Sequence, residues 1–147
     1  MTNPVTATSA APPSEAAAHF GRLLQFETDC ADVQSAMAAS GGVPSGFVLL
    51  DVRGPGAYAR GHVPGAINLP RTRMDANSMA QWPDDALFVV YCAGPHSNGA
   101  DKAALRLSSL KRPVKLMLGG ATGWADEGFG FVAGDAPGTL GQVGQAA

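Results

Sequence analysis

Charge is sparse in this chain of 147 residues: Lys and Arg number ten, Asp and Glu twelve, and together they make up 15% of the sequence. The cations are scattered, with no basic stripe able to neutralise a phosphate backbone, so nucleic acid is not an expected partner. No apolar run approaches the roughly 20 residues that cross a bilayer. The opening MTNPVTATSAAPPSE also lacks a positive stretch followed by an apolar one, the mark of a secretory signal. No membrane association and a cytoplasmic location are therefore expected. Cysteine is scarce as well. Cys30 and Cys92 lie far apart, and a reducing cytosol makes a structural disulfide between them the poorer reading.

What is present is an apolar content of 46%, typical of a globular chain, in a length that builds one core and not two. Residues 1–13 are rich in Thr, Ala and Pro without periodicity and are expected to be disordered. Residues 14–132 are expected to form a single domain, and the Gly- and Ala-rich stretch 133–147 a flexible tail.

Along the chain, apolar runs and helical periods alternate. SEAAAHFGRLL predicts a short helix capped at Ser14, and Leu23 to Glu27 a first strand. DCADVQSAMAA predicts a helix opened by Asp29, with Val33, Ala36 and Met37 on one face. FVLLDV at 47–52 and LFVVY at 87–91 are continuous apolar runs, as expected of strands buried on both faces. Between them lie a one-turn helix at Ala57 to Arg60, an extended piece at Ala66 to Leu69 and a helical segment near Met74 to Gln81. ADKAALRLSSL is helical, with Ala103, Ala104 and Leu107 on one face; PVKLMLGG is a strand, and TGWADEGF a short helix. This alternation predicts an α/β fold: an open, mainly parallel sheet of about five strands with helices on both faces. Ligands of such folds bind beyond the C-terminal strand ends. Asp51 and Cys92 both occupy such positions, which predicts a shared site.

Cysteine is a nucleophile as thiolate, and backbone N–H groups at a helix N-terminus favour that form. Cys92 ends a buried strand, Gly94 and Gly99 permit tight backbone turns, and Asn98 with Asp101 resembles the cap of the next helix. The loop Ala93, Gly94, Pro95, His96, Ser97, Asn98, Gly99 would then curl its amides around the sulfur as an anion-binding nest. The bland alternative is a buried core cysteine, a common fate of free thiols.

The wider context bears on that choice. LLDVRGPGAYARGHVPGAINLP resembles the rhodanese motif in which Asp-Val-Arg ends a strand and Gly-His-(Ile or Val)-Pro-Gly-Ala follows. YCAGPHSNGADKAALRL falls where that family places its cysteine loop and helix, and LGGATGWADEGF resembles its closing Gly-Gly-x-x-x-Trp segment. The likeness runs over about residues 22 to 130. It implies a sulfurtransferase in which Cys92 takes sulfane sulfur as a persulfide from a small donor, thiosulfate or a persulfide or polysulfide. The sulfur then passes to a thiophilic acceptor or acceptor protein, with the amides of Ala93 to Gly99 stabilising the charged sulfur. No metal and no organic cofactor is implied.

The pattern departs from the family at one place. Rhodanese loops often carry an Arg five residues after the cysteine, where this chain has Ser97. His96 is the only titratable loop group, and a solvated histidine is its simpler reading. Lys102, in the first helical turn, is a possible substitute cation or a solvent-facing one. Asp51 and Arg53 are possible supporting residues, with a pair that fixes the strand-end loop as their simpler role. His62 is expected to fix its turn rather than bind metal, Cys92 and His96 are too few for zinc, Trp124 is core, and Cys30 is a bystander. Two rival functions stand beside sulfur transfer. One is a catalytically weak binding or regulatory module. The other is a cysteine phosphatase or arsenate reductase, which needs a guanidinium six residues after the cysteine, where Asn98 stands.

Overall fold

The computed structural model describes residues 3–143. Helix α1 (Pro13–Phe26) leads into strand β1 (Glu27–Asp29), helix α2 (Cys30–Ala38), strand β2 (Val48–Asp51), helix α3 (Pro55–Arg60) and strand β3 (Ile67–Asn68). Helix α4 (Ala76–Met79), strand β4 (Phe88–Tyr91), helix α5 (Gly99–Ser109), strand β5 (Val114–Leu118) and helix α6 (Gly120–Asp126) follow. The five strands form one parallel sheet in the order β1-β5-β4-β2-β3. This is the α/β architecture expected from the two apolar runs, which are buried on both faces because helices cover both.

Strand alternation divides the core. Leu49, Val89, Tyr91 and Met117 face one side, where they pack with Val33 and Met37 of α2 and Trp124 of α6. Leu50, Phe88 and Val90 face the other, against Ala103 and Leu107 of α5 and Met79 of α4. Cys92, one residue past β4, continues the second face.

Local chemistry explains several boundaries and shifts some of them. The Asp29 carboxylate accepts from the amide of Asp32 at 2.8 Å and opens α2 as expected, but Cys30 replaces Ala36 on its buried face. Helix α1 starts at Pro13, whose ring suits the first helical position, and Ser14 caps nothing. That helix runs on through Leu23–Phe26, so the first strand begins only at Glu27. An amphipathic period and a short apolar run look alike over four residues. Of the segment near Met74 to Gln81 only Ala76–Met79 is helical, set by a reciprocal cap between Asp75 and Ser78.

After α6 the chain turns back over the β2 side. His62 and Val132 exchange backbone hydrogen bonds of 2.9 and 3.0 Å, and the Gly65 amide donates to the Pro137 carbonyl at 2.8 Å. The His62 ring is fully buried and stacked on Tyr58 at 3.7 Å, its nitrogens 2.9 Å from the Tyr58 carbonyl and 3.0 Å from that of Ala136. Ala136 and Pro137 belong to the stretch expected as a flexible tail, which is described as far as residue 143; residues 144–147, and Met1 and Thr2 of the N-terminal stretch, lie outside the described residues.

Candidate active site

Strand β4 delivers Cys92 to the C-terminal edge of the sheet, and the chain from Ala93 to Asn98 loops over to α5. Two elements fasten this loop. The amide of Ala121 donates to the Cys92 carbonyl at 2.9 Å, and Thr122 donates to the Ala93 carbonyl through its amide at 2.9 Å and its hydroxyl at 3.0 Å. The first turn of α6 thus clasps the loop by its carbonyls, a role for Thr122 that the sequence reading missed.

Among the described residues, the sulfur itself has one polar partner. The Ser97 hydroxyl donates to Cys92 Sγ at 3.2 Å, and Ser97 Oγ also receives the Gly99 amide at 3.3 Å. Ser97 therefore takes over the capping expected of Asn98, whose side chain makes no cap hydrogen bond. A Ser two residues before a helix-opening Gly was the available signal. Gly99 is required sterically, since a Cβ there would lie 2.5 Å from Sγ.

The loop makes a turn in which the Ser97 amide donates to the Gly94 carbonyl at 3.0 Å, and none of its amides is bonded to the thiol around which they were expected to curl. Among the described residues, the amides of Ala93, Gly94, His96 and Asn98 have no partner within the protein, and none donates to Sγ. Gly94 is buried, Ser97 and Gly99 are half-buried, and Ala93, Pro95, His96 and Asn98 are exposed. Lys102 is also exposed and does not line the cavity at the sulfur.

That cavity has a volume of about 220 Å³ and is lined by Cys92, Gly94, Pro95, Ser97 and Ala100 on one side and by Leu116 to Gly120 on the other, with Glu27 and Asp101 at its rim. Asp51 and Arg53 do not line it, which corrects the expected shared site. Asp51 pairs in register with Tyr91, so its side chain shares the Tyr91 face while Cys92 points to the opposite one.

On its own face Asp51 is fully buried. It accepts the Tyr91 hydroxyl at 2.6 Å and forms an ion pair of 2.6 Å with Arg53, which donates onward to the Gly61 carbonyl at 2.7 Å. Burial and the Asp51 carboxylate hold the Tyr91 hydroxyl well above the usual phenol range. Burial works against the Arg53 cation, yet its hydrogen bonds and charge pairing with Asp51 leave it above its ordinary value. This network fixes the loop after β2, the simpler of its two expected roles. Cys30 is buried, and its thiol donates to the Leu118 carbonyl at 3.4 Å. Burial, with Asp29 and Glu127 adding to it, pushes that thiol up to about 11, the opposite of what a nucleophile needs.

A parallel α/β sheet with a cysteine at the strand end, set in a glycine-bearing turn before a helix, defines the class. Residues 31–127 match the model of the rhodanese-like domain family, and the chain belongs to that family. Among solved structures, the BH2092 protein of Bacillus halodurans is 35% identical, with a TM-score of 0.76 over 84% of this chain and 88% of that one. A thiosulfate sulfurtransferase of Pseudomonas aeruginosa shares the fold, at 23% identity and a TM-score of 0.59, over 85% of this chain and 22% of that one. An HTH-type transcriptional regulator of Mycobacterium tuberculosis is 36% identical over 76 residues, which is 52% of this chain; the chain spans 33% of that regulator's length.

Proposed function

We propose that the protein is a sulfur carrier or sulfurtransferase that forms a persulfide on Cys92. The observation that carries this reading is the half-buried Cys92 Sγ opening into a small cavity, with the Ser97 hydroxyl 3.2 Å away, at the head of a loop that has unpaired amides. In the loading step the Cys92 thiolate attacks the sulfane sulfur of a donor. The donor's S–S bond breaks, its remaining fragment leaves with the electron pair, and the sulfane sulfur stays on Cys92. A thiophilic acceptor or acceptor protein then attacks the outer sulfur and regenerates the thiolate. The free amides and the Ser97 hydroxyl stabilise the anionic sulfur in both steps, as in an oxyanion hole. Neither step calls for a metal or an organic cofactor. A cytoplasmic setting, where the two unpaired thiols stay reduced, suits this chemistry; neither nucleic acid nor a membrane takes part in it.

The reading is tested by intact-protein mass after incubation with thiosulfate and, separately, with a persulfide or polysulfide donor. A cyanide-reversible gain of about 32 Da from at least one of these donors, absent in Cys92→Ala and retained in Cys30→Ala, is expected. Loading that persists in Cys92→Ala would sink the site assignment. No loading from any donor would favour the second reading, a binding module of the same fold, which the absence of any Lys or Arg between Cys92 and Asp101 supports.

A further inference from the structure

The walls of the Cys92 cavity carry a charge pattern of their own. Its titratable lining groups other than the thiol are Glu27, from the edge strand β1, and Asp101, from the first turn of α5. Among the described residues, no Lys, Arg or His lines it. The rest of the wall is largely backbone and apolar, with Pro95, Ala100, Leu116 and Leu118 prominent. A substrate that reaches the thiolate therefore meets two carboxylates, and no cation, among the described lining groups.

From this we infer that Glu27 and Asp101 determine specificity, selecting small neutral or cationic sulfur compounds, aminothiol persulfides above all, and rejecting anionic donors such as thiosulfate. The inference rests on the sulfur-carrier reading and adds the substrate class to it. The cavity of about 220 Å³ lies below the roughly 300–1,000 Å³ of sites for drug-sized ligands, which suits a short thiol. A persulfide R–S–SH gives Cys92–S–SH and R–S⁻, with charge unchanged at −1 on each side. When R carries an ammonium group, that cation faces the two carboxylates and offsets the thiolate. Thiosulfate would instead bring two further negative charges to a site that already holds three.

Like charges a few ångströms apart repel by roughly fivefold in rate even at the dielectric of bulk water and by more near a protein surface, and salt screens this over ~10 Å at 0.1 M and ~3 Å at 1 M. The test compares two donors of similar size, cysteamine persulfide and 3-mercaptopropionate persulfide, with thiosulfate alongside. Loading is read as the rate of the ~32 Da mass gain at low and high salt. The wild type is expected to load from the amine about tenfold faster than from the carboxylate at low salt. High salt should shrink that preference, and the double variant Glu27→Gln, Asp101→Asn should reduce it to near twofold and load faster from thiosulfate. Equal wild-type rates from the two persulfides, or a preference that survives the double variant, overturns the inference while leaving the carrier reading intact. If no donor loads Cys92, the carrier reading itself fails and the inference falls with it.

Discussion

A Cβ placed on Gly120 would lie 2.4 Å from the carbonyl oxygen of Cys92. The two residues are pressed together because the first turn of α6 clasps the cysteine loop, and Gly120 also sits at φ +58°, where a side chain is strained. Gly120→Ala is therefore expected to destabilise the protein by about 2–4 kcal/mol through steric overlap and backbone strain. Chemical denaturation measures this, and an effect below about 0.5 kcal/mol would mean that the clasp yields easily.

Ser97→Ala removes the hydroxyl that donates to the Cys92 sulfur together with the cap on the Gly99 amide. A hydrogen bond to a charged group contributes about 1.5–3 kcal/mol, so sulfur loading should slow by roughly ten- to a hundredfold. Stability should change by only about 1 kcal/mol. An unchanged loading rate would show that the amides alone support the anion.

Arg53→Ala leaves the buried Asp51 carboxylate with only the Tyr91 hydroxyl and the Arg53 backbone amide for partners. Breaking one side of a buried pair costs about 3–5 kcal/mol. Because Asp51 lies on the sheet face opposite Cys92, the folded fraction should load sulfur at the wild-type rate. Loading lost in proportion to more than the unfolded fraction would place the pair back in the active site.

Helix α5 is followed by Lys111 at φ +62°, its amide donating to the Ser108 carbonyl and that of Arg112 to the Leu107 carbonyl. Those bonds form the turn that usually ends on glycine. Lys111→Gly should raise stability by about 0.5–1 kcal/mol, seen as a higher denaturation midpoint with an unchanged slope.

Cys30 sets an alkaline limit. Its thiol, pushed from 9.0 up to about 11 in the fold, keeps a proton that the unfolded chain releases above about pH 9. The unfolded state then binds fewer protons, and stability falls as pH rises from about 9 to about 11. Between pH 8 and pH 10 the loss from this group is about 1 kcal/mol, and Cys30→Ala should flatten the profile by that amount. Tyr58, pushed up to about 12 chiefly by burial and then by Asp51 and Asp135, acts in the same direction at higher pH.

The parts of the fold legible in the sequence are those where one physical cause dominates. β2 and β4 stand out as apolar runs because both faces are covered, and α5 because Ala103 and Leu107 repeat at helical spacing. The family likeness placed Cys92 and its loop. What escaped were relations between segments distant in the chain: the clasp by Thr122, the rim made by Glu27 and Asp101, and the separation of Asp51 from Cys92 by a single step of strand alternation. The first strand was misplaced because Leu23–Phe26 continues helix α1, which packs on both β1 and its neighbour β5.

The pairing of β1 with β5, residue 27 against residue 116, also fixes an order of events during synthesis. Strands β2, β3 and β4 can align once residue 91 has left the ribosome. β1, made before them, has no sheet neighbour until residues 114–118 emerge to pair with it and with β4. Parallel pairing over such spans is slow, so the nascent chain passes through a period with one sheet edge uncovered, during which it is most exposed to aggregation.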